Sequence, residues 1–268
     1  MILLIDAGNS LTKWQLRDDN RLIHQQGQCV SNMDTINCLV TQWQTFDTNI
    51  KKMVLCSVTE SVSMTLLKDQ LALLSHFKQT QWFSFISEPS ASIHAQQNHY
   101  TVYNGYADDW QQLGADRWAN LLGACQQTML TPQKDQSAIT IVSAGTALTL
   151  DRLIYITRSN AWQHQGGFIV PGLTTLRRSL HDYTSALPLV TETYDLDTDL
   201  ALGRNTRQAI EWGTLQLLLH WLQQESHGVL FLTGGYASTL FAHLPESLQT
   251  QSKLAPDLLY DGLQVRFG

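Results

Sequence analysis

The sequence predicts an α/β protein made of two similar halves, and three observations carry that prediction. Short apolar runs of strand length alternate with longer runs whose apolar residues recur at helical spacing. Three strand-like runs end abruptly in glycine turns, at Gly8, at Gly145 and at Gly234-Gly235. Two of those turns also match each other. Ile5–Thr12 (IDAGNSLT) aligns with Val142–Thr149 (VSAGTALT), setting Asp6 against Ser143, Gly8 against Gly145 and Leu11 against Leu148. A β-turn-β unit repeated at the start of each half implies two domains facing each other across a cleft.

Met1–Ile5 and Leu11–Leu16 read as strands around the first turn. Met53–Ser57 reads as a buried strand, Ser61–Leu74 as a helix on the spacing of Val62, Leu66, Leu67 and Leu71, and Phe83–Ile86 as a strand. Glu88–Gln112 is polar with scattered aromatics and reads as a loop. Ala115–Met129 is a helix with Trp118, Leu122, Cys125 and Met129 on one face, followed by a linker at Thr131–Ser137. Strands follow at Ile139–Val142, Ala147–Asp151 and Leu153–Thr157, then a glycine and proline turn at Gly166–Gly172 and a short helix at Leu173–Leu180. A longer helix at Asn205–Gln224 turns Ile210, Leu217 and Trp221 inward, and Val229–Leu232 is a buried strand. The domain boundary is placed after Trp118, giving domains 1–118 and 119–268, with a C-terminal helix able to return to the first.

The 268 residues are 43% hydrophobic, enough for a packed core, and carry a formal net charge of −6 with only 17 Lys and Arg. No basic stripe suggests nucleic acid or an anionic membrane as partner. The four cysteines, Cys29, Cys38, Cys56 and Cys125, form no C-x-x-C pair, and a chain this long needs no disulfide staple. They point to a reduced cytoplasmic setting. The apolar start has no basic leader and runs straight into Asp6, so it reads as a strand and not a signal peptide.

The first turn has the chemistry of an anion cradle. Gly8 permits close backbone approach, and the N–H groups from Ala7 to Ser10 can form a nest around phosphate oxygens. Asn9, Ser10 and Thr12 add donors, Lys13 adds positive charge, and Asp6 suits Mg²⁺ held through water. Gly145-Thr146 and Gly234-Gly235 offer two further ligand-facing turns. None is a P-loop or a G-x-G-x-x-G unit in a βαβ context. In Leu113-Gly114-Ala115-Asp116-Arg117-Trp118 a helix begins, with Asp116 placed to accept a proton and Arg117 to grip a carboxylate. His164 and His181 flank the Gly166–Gly172 turn and belong to no metal motif. No Ser-His-Asp arrangement is legible.

Taken in order, DAGNSLTKW, Asn104-Gly105-Tyr106, LGADRW, SAGTALTLD, GGFIVPGL, the TSALP run at Thr184–Pro188, GRNT, TGGYA and DLLYDGL resemble the type III pantothenate kinases. That family belongs to the superfamily of acetate and sugar kinases, heat-shock chaperones and actin. The resemblance implies two ribonuclease-H-like domains with a central cleft, the actin-like ATPase architecture. It implies ATP-dependent phosphorylation of pantothenate at the first step of coenzyme A synthesis, in a cytoplasmic homodimer.

By the same resemblance, Asp116 is the general base, and Tyr106, Gly114, Ala115, Arg117 and Thr184 bind pantothenate. Asp6, Ala7, Gly8, Asn9, Ser10, Lys13, Gly145 and Thr146 contact phosphates or their Mg²⁺, and Gly234 and Gly235 face the adenosine. Ser143 stands where most members have Asp, which removes attraction for a monovalent cation such as K⁺ or NH4⁺ and predicts weak or absent dependence on one. Some members are called Bvg accessory factor, a name that does not decide the function; Ser143 gives a foothold to the alternative of a nucleotide-binding regulator with little catalysis, and a kinase for another small hydroxy acid is the other.

Overall fold

The computed structural model describes residues 1–58, 62–72, 74–95, 98–130, 137–191 and 202–268. The chain divides into two compact units. The first comprises Met1–Asp135, Ile154–His164 and Asp257–Gly268, and the second Gln136–Leu153 and Gln165–Pro256. The helix that holds residues 118 and 119 lies whole in the first unit. The expected linker, except for Ser137, lies outside the described residues, as does Ser61.

The first unit opens with β1 (Ile2–Ala7), β2 (Leu11–Arg17), β3 (Ile23–Val30), α1 (Thr35–Trp43), β4 (Lys52–Ser57), α2 (Met64–Leu71) and β5 (Gln81–Phe85). The strands form one sheet in the order β3-β2-β1-β4-β5. β1 pairs antiparallel with β2 and parallel with β4, so it is central and apolar on both faces, which explains the unbroken Ile2–Ile5 run. Trp14 anchors one face, edge-on to Trp43 at 6.1 Å and to Phe46 at 5.4 Å between ring centroids.

Next come β6 (Ser90–Ala95), β7 (Asn98–Tyr103) and α3 (Ala115–Leu130). β6 and β7 pair antiparallel, which corrects the loop expected over Glu88–Gln112. Their alternation is masked by polar residues on the outward positions, while Ala91, Ile93 and Val102 turn inward and are buried. β3 and α1 also went unpredicted, because Ile23–Val30 is mostly polar and exposed. A second correction concerns the cysteines. Cys29 on β3 and Cys38 on α1 form a disulfide, their Cα atoms 6.3 Å apart, because α1 packs back over the strand that precedes it. Cys56 and Cys125 are free and buried.

The second unit contains β8 (Ala138–Ala144), most of β9 (Ala147–Ile156), the end of β10 (Ala161–Pro171), α4 (Leu173–Asp182), α5 (Thr206–Glu225), β11 (Val229–Thr233), α6 (Ala237–His243), α7 (Glu246–Gln249) and β12 (Ser252–Leu254). Its strands run β12-β11-β8-β9-β10. Two expected strands merge into β9, and the expected Gly166–Gly172 turn is instead largely the end of β10, with Gly166 at φ +93° sparing the strand a break. Leu217 is 60% exposed and does not face inward, whereas Ile210 is buried. Asn205 caps α5 by accepting a bond from the Gln208 N–H.

α8 (Leu258–Phe267) returns to the first unit and crosses α3. A Cβ on Gly262 would lie 1.9 Å from the Ala119 carbonyl oxygen, and one on Gly123 would lie 2.1 Å from that of Leu258. Both contacts are to backbone, so neither helix can accommodate a side chain without moving. Among the described residues, no helix is long and apolar enough to cross a membrane. Gly262→Ala is expected to destabilise the protein by about 3 kcal/mol or more, read as a fall in urea midpoint, whereas Gly213→Ala, where a Cβ meets nothing within 4 Å, should be neutral or stabilising.

Candidate active site

In the first unit, the β1–β2 connection carries the opening motif. Gly8 N–H donates to the Leu11 carbonyl at 3.1 Å, closing the turn, and Asn9 and Ser10 stand exposed at its tip. Asp6 lies opposite Lys13 across the β1–β2 pair and opposite Cys56 across the β1–β4 pair. Burial first, and the Asp116 carboxylate second, push the Asp6 carboxyl up to about 7, and Lys13 offsets part of the rise. Burial together with these two carboxylates likewise pushes the Cys56 thiol up, and burial raises the Tyr260 hydroxyl on α8.

Asp116 reaches this cluster because α3 begins at Ala115. Its carboxylate folds back toward the helix start, where a Cβ on Gly114 would sit 2.5 Å from Oδ1. Glycine at 114 thus leaves room for the carboxylate. Arg117, 4% exposed, donates from Nη1 to the Tyr106 hydroxyl at 3.0 Å and lies 5.6 Å from that ring's centroid. Tyr106 in turn stacks on His164, with centroids 5.7 Å apart. The Gly105 N–H donates to His164 Nδ1 at 3.3 Å, which assigns the ring proton to Nε2 in the neutral imidazole. Asn104 shapes this loop by donating to the carbonyls of Glu88 and Trp110, both at 3.2 Å, and by accepting from the Tyr106 N–H at 3.0 Å. Sequence reasoning named Tyr106 and Arg117 but missed His164, which stands 58 residues beyond Tyr106 and in no motif of its own.

The second unit gathers its glycine turns on one another. Gly145 N–H donates to the Ala147 carbonyl at 3.0 Å, so this turn is a residue shorter than its counterpart at Gly8. Gly172 N–H donates to the Thr146 carbonyl at 3.0 Å, and a Cβ there would strike the Gly145 oxygen at 2.1 Å. Gly234, at φ +90°, packs against Ala144, where a Cβ would lie 2.7 Å from the carbonyl oxygen. Thr175 Oγ1 also donates to the Thr146 carbonyl, at 2.6 Å. The turns at Gly145-Thr146 and Gly234-Gly235 are therefore brought together, and Gly172 joins them. Thr184 is exposed beyond α4, its hydroxyl donating to the Leu180 carbonyl at 2.7 Å.

The family model for type III pantothenate kinase matches residues 2–224. The chain belongs to that family. Relatives named type III pantothenate kinase include one from Ectopseudomonas mendocina, 29% identical with 99% of this chain and 98% of the relative covered. Another, from Cellvibrio japonicus, is 28% identical with 100% and 97% covered. Among solved structures, a conserved Baf-family transcriptional activator from Campylobacter jejuni is similar at TM-score 0.53 and 19% identity, covering 98% of this chain and 95% of that one. A 2-dehydro-3-deoxygalactonokinase from Sinorhizobium meliloti is similar at TM-score 0.55 and 12% identity, covering 99% and 98%. These likenesses show a shared α/β fold. They leave the role of each side chain in this member to chemistry.

The raised Asp6 carboxyl makes a signed prediction. Ligand-free protein keeps that proton up to about pH 7, whereas the unfolded chain releases it near 3.8. The stability this proton contributes is complete below about pH 4 and disappears as pH climbs through 7. Asp6→Asn, which mimics the protonated form, should match the wild-type melting temperature at pH 3 and exceed it at pH 8. Asp6 retains some solvent access, so the gain at pH 8 is about 2 kcal/mol.

Proposed function

We propose that this protein transfers the γ-phosphoryl group of ATP to the primary hydroxyl of pantothenate, giving 4'-phosphopantothenate for coenzyme A synthesis, and that it works with Mg²⁺ as a cytoplasmic homodimer. One observation carries the assignment of roles. The Asp116 carboxylate stands at the head of α3, electrostatically coupled to Asp6 on one side and followed directly by the Arg117–Tyr106–His164 set on the other. A phosphoryl-transfer site needs such a base between a phosphate cradle and an acceptor pocket.

In this reading Asp116 takes the proton of the pantothenate hydroxyl as it attacks the γ-phosphorus. Arg117 directs its planar fork at the pantothenate carboxylate, braced by the Tyr106 hydroxyl, and Gly114 and Ala115 let the acceptor approach the helix start. The turn from Ala7 to Ser10, with Lys13, holds phosphate oxygens, and transfer is accelerated mainly by alignment and charge stabilisation. Gly145 and Thr146 are proposed phosphate contacts and Gly234 and Gly235 adenosine contacts. The donor set suits Mg²⁺. Among the described residues no group of three or more His, Cys, Asp or Glu could hold a metal ion, and Asp6 would hold Mg²⁺ through water. When bound, Mg²⁺ neutralises charge on the terminal phosphates. Tyr183, next to Thr184, is exposed, as a subunit contact that brings in Thr184 would require.

Asp116→Asn is expected to lower kcat by at least about a hundredfold while the ATP dissociation constant stays within about twofold, as read by a coupled ADP-release assay and nucleotide titration. Normal turnover in this variant would remove Asp116 from the role of base. With Ser143 in place of a carboxylate, initial rates at constant ionic strength should change little as KCl replaces a bulky organic cation salt. A steep rise from near zero would show that a monovalent cation is bound regardless.

A further inference from the structure

Resting on the reading of the Gly8 turn as the phosphate cradle, we propose that Ser31 is a positioning residue for the nucleotide, acting on that turn from outside. Ser31 is the first residue beyond β3 and belongs to none of the motifs that mark the site. Yet it makes three bonds that straddle the turn. Its N–H donates to the Ser10 carbonyl at 3.0 Å, and its Oγ donates to the Gly8 carbonyl at 2.7 Å. The same Oγ lies 3.0 Å from the hydroxyl of Thr12, which is fully buried. Within the turn itself the backbone bond is the one from Gly8 N–H to Leu11.

These bonds bear on ligand geometry through the planarity of the peptide. The Gly8 carbonyl and the Asn9 N–H point in opposite directions across one trans peptide, as do the Ser10 carbonyl and the Leu11 N–H. Holding both carbonyls toward Ser31 turns both N–H groups away from it. Backbone N–H groups in that turn are the donors an oxyanion nest requires. Ser31 itself is well fixed. Thr12 pairs with Cys29 and Leu11 with Val30 in the β2–β3 ladder, and Thr35 Oγ1 donates to the Val30 carbonyl at 3.0 Å. The Cys29–Cys38 disulfide then ties the end of β3 covalently to α1. Ser31 therefore transmits the rigidity of a cross-linked strand and helix to the turn.

The test is steady-state kinetics on full-length Ser31→Ala, Ser31→Thr and Lys13→Ala. Ser31→Ala should raise the KM for ATP about fivefold and leave the KM for pantothenate within about twofold, and Ser31→Thr, which keeps the hydroxyl, should restore the ATP value. An unchanged ATP KM in Ser31→Ala, or one that rises only in step with the pantothenate KM, would overturn the role. Lys13→Ala separates this failure from a deeper one. If Lys13→Ala raises the ATP KM and Ser31→Ala does not, Ser31 alone loses its role. If neither variant moves it, the turn is not the nucleotide cradle and the proposal falls with that reading.

Discussion

The close crossing of α3 and α8 is the constraint on which the first unit depends. A glycine on each helix lets the two backbones touch, Gly123 against Leu258 and Gly262 against Ala119. Such an approach gains dispersion contact along the helices and fixes their spacing more tightly than interlocking side chains would. α3 carries Asp116 and Arg117 at its head, so any shift at the crossing is passed along a stiff rod to the proposed base. The residues flanking Gly262 add a second tie. Asp261 accepts from Arg17 Nη1 and from Gln127, each at 2.7 Å, and so joins β2, α3 and α8. Arg17 Nε also donates to Gln15, which in turn donates to Asp257. A buried charge network of this kind adds little net stability over apolar packing, but it penalises every arrangement that leaves one charge alone. Here it fixes β2, the strand of Lys13, in register with the helix of Asp116.

The site's electrostatics follow from that geometry. Two carboxylates held in one partly desolvated corner repel each other and resist ionisation, and the effect falls on Asp6. The protein keeps this unfavourable arrangement where no fold requires it. A corner strained by negative charge is one that a cation-bearing triphosphate relieves, so instability without ligand becomes affinity with it. Arg117 and Tyr106 are arranged oppositely, with positive charge held against an aromatic face.

Much of this was legible in the sequence, for identifiable reasons. β1, β4, β8 and β11 are central strands, apolar on both faces, and announce themselves as unbroken runs. The glycine turns at Gly8, Gly145 and Gly234 were visible as glycines closing apolar runs, although among these only at Gly234 does close backbone approach exclude a side chain, and the ordered motifs around them carried the family. β3, β6 and β7 were not visible, since edge and hairpin strands expose one face and their polar residues imitate loops. The Cys29–Cys38 bridge was hidden because it depends on α1 folding back, which no spacing rule reveals. His164 and Ser31 were missed for a related reason. Each acts on a recognised residue from a separate strand, and a single histidine or serine has no signature until tertiary pairing supplies its neighbour. Leu217 was misread because the spacing that fits an inward stripe does not fix which side of α5 faces the sheet.

The discontinuous make-up of the first unit has a consequence for biosynthesis. Its strands leave the ribosome early, but α8, which covers Gly123, is translated after every segment of the second unit. Until then the face of α3 around Gly123 lacks its covering helix, and Arg17 on β2 lacks Asp261. The nascent first unit therefore waits on synthesis of every segment of the second before Asp257–Gly268 can seat on α3, so its folding cannot finish in chain order.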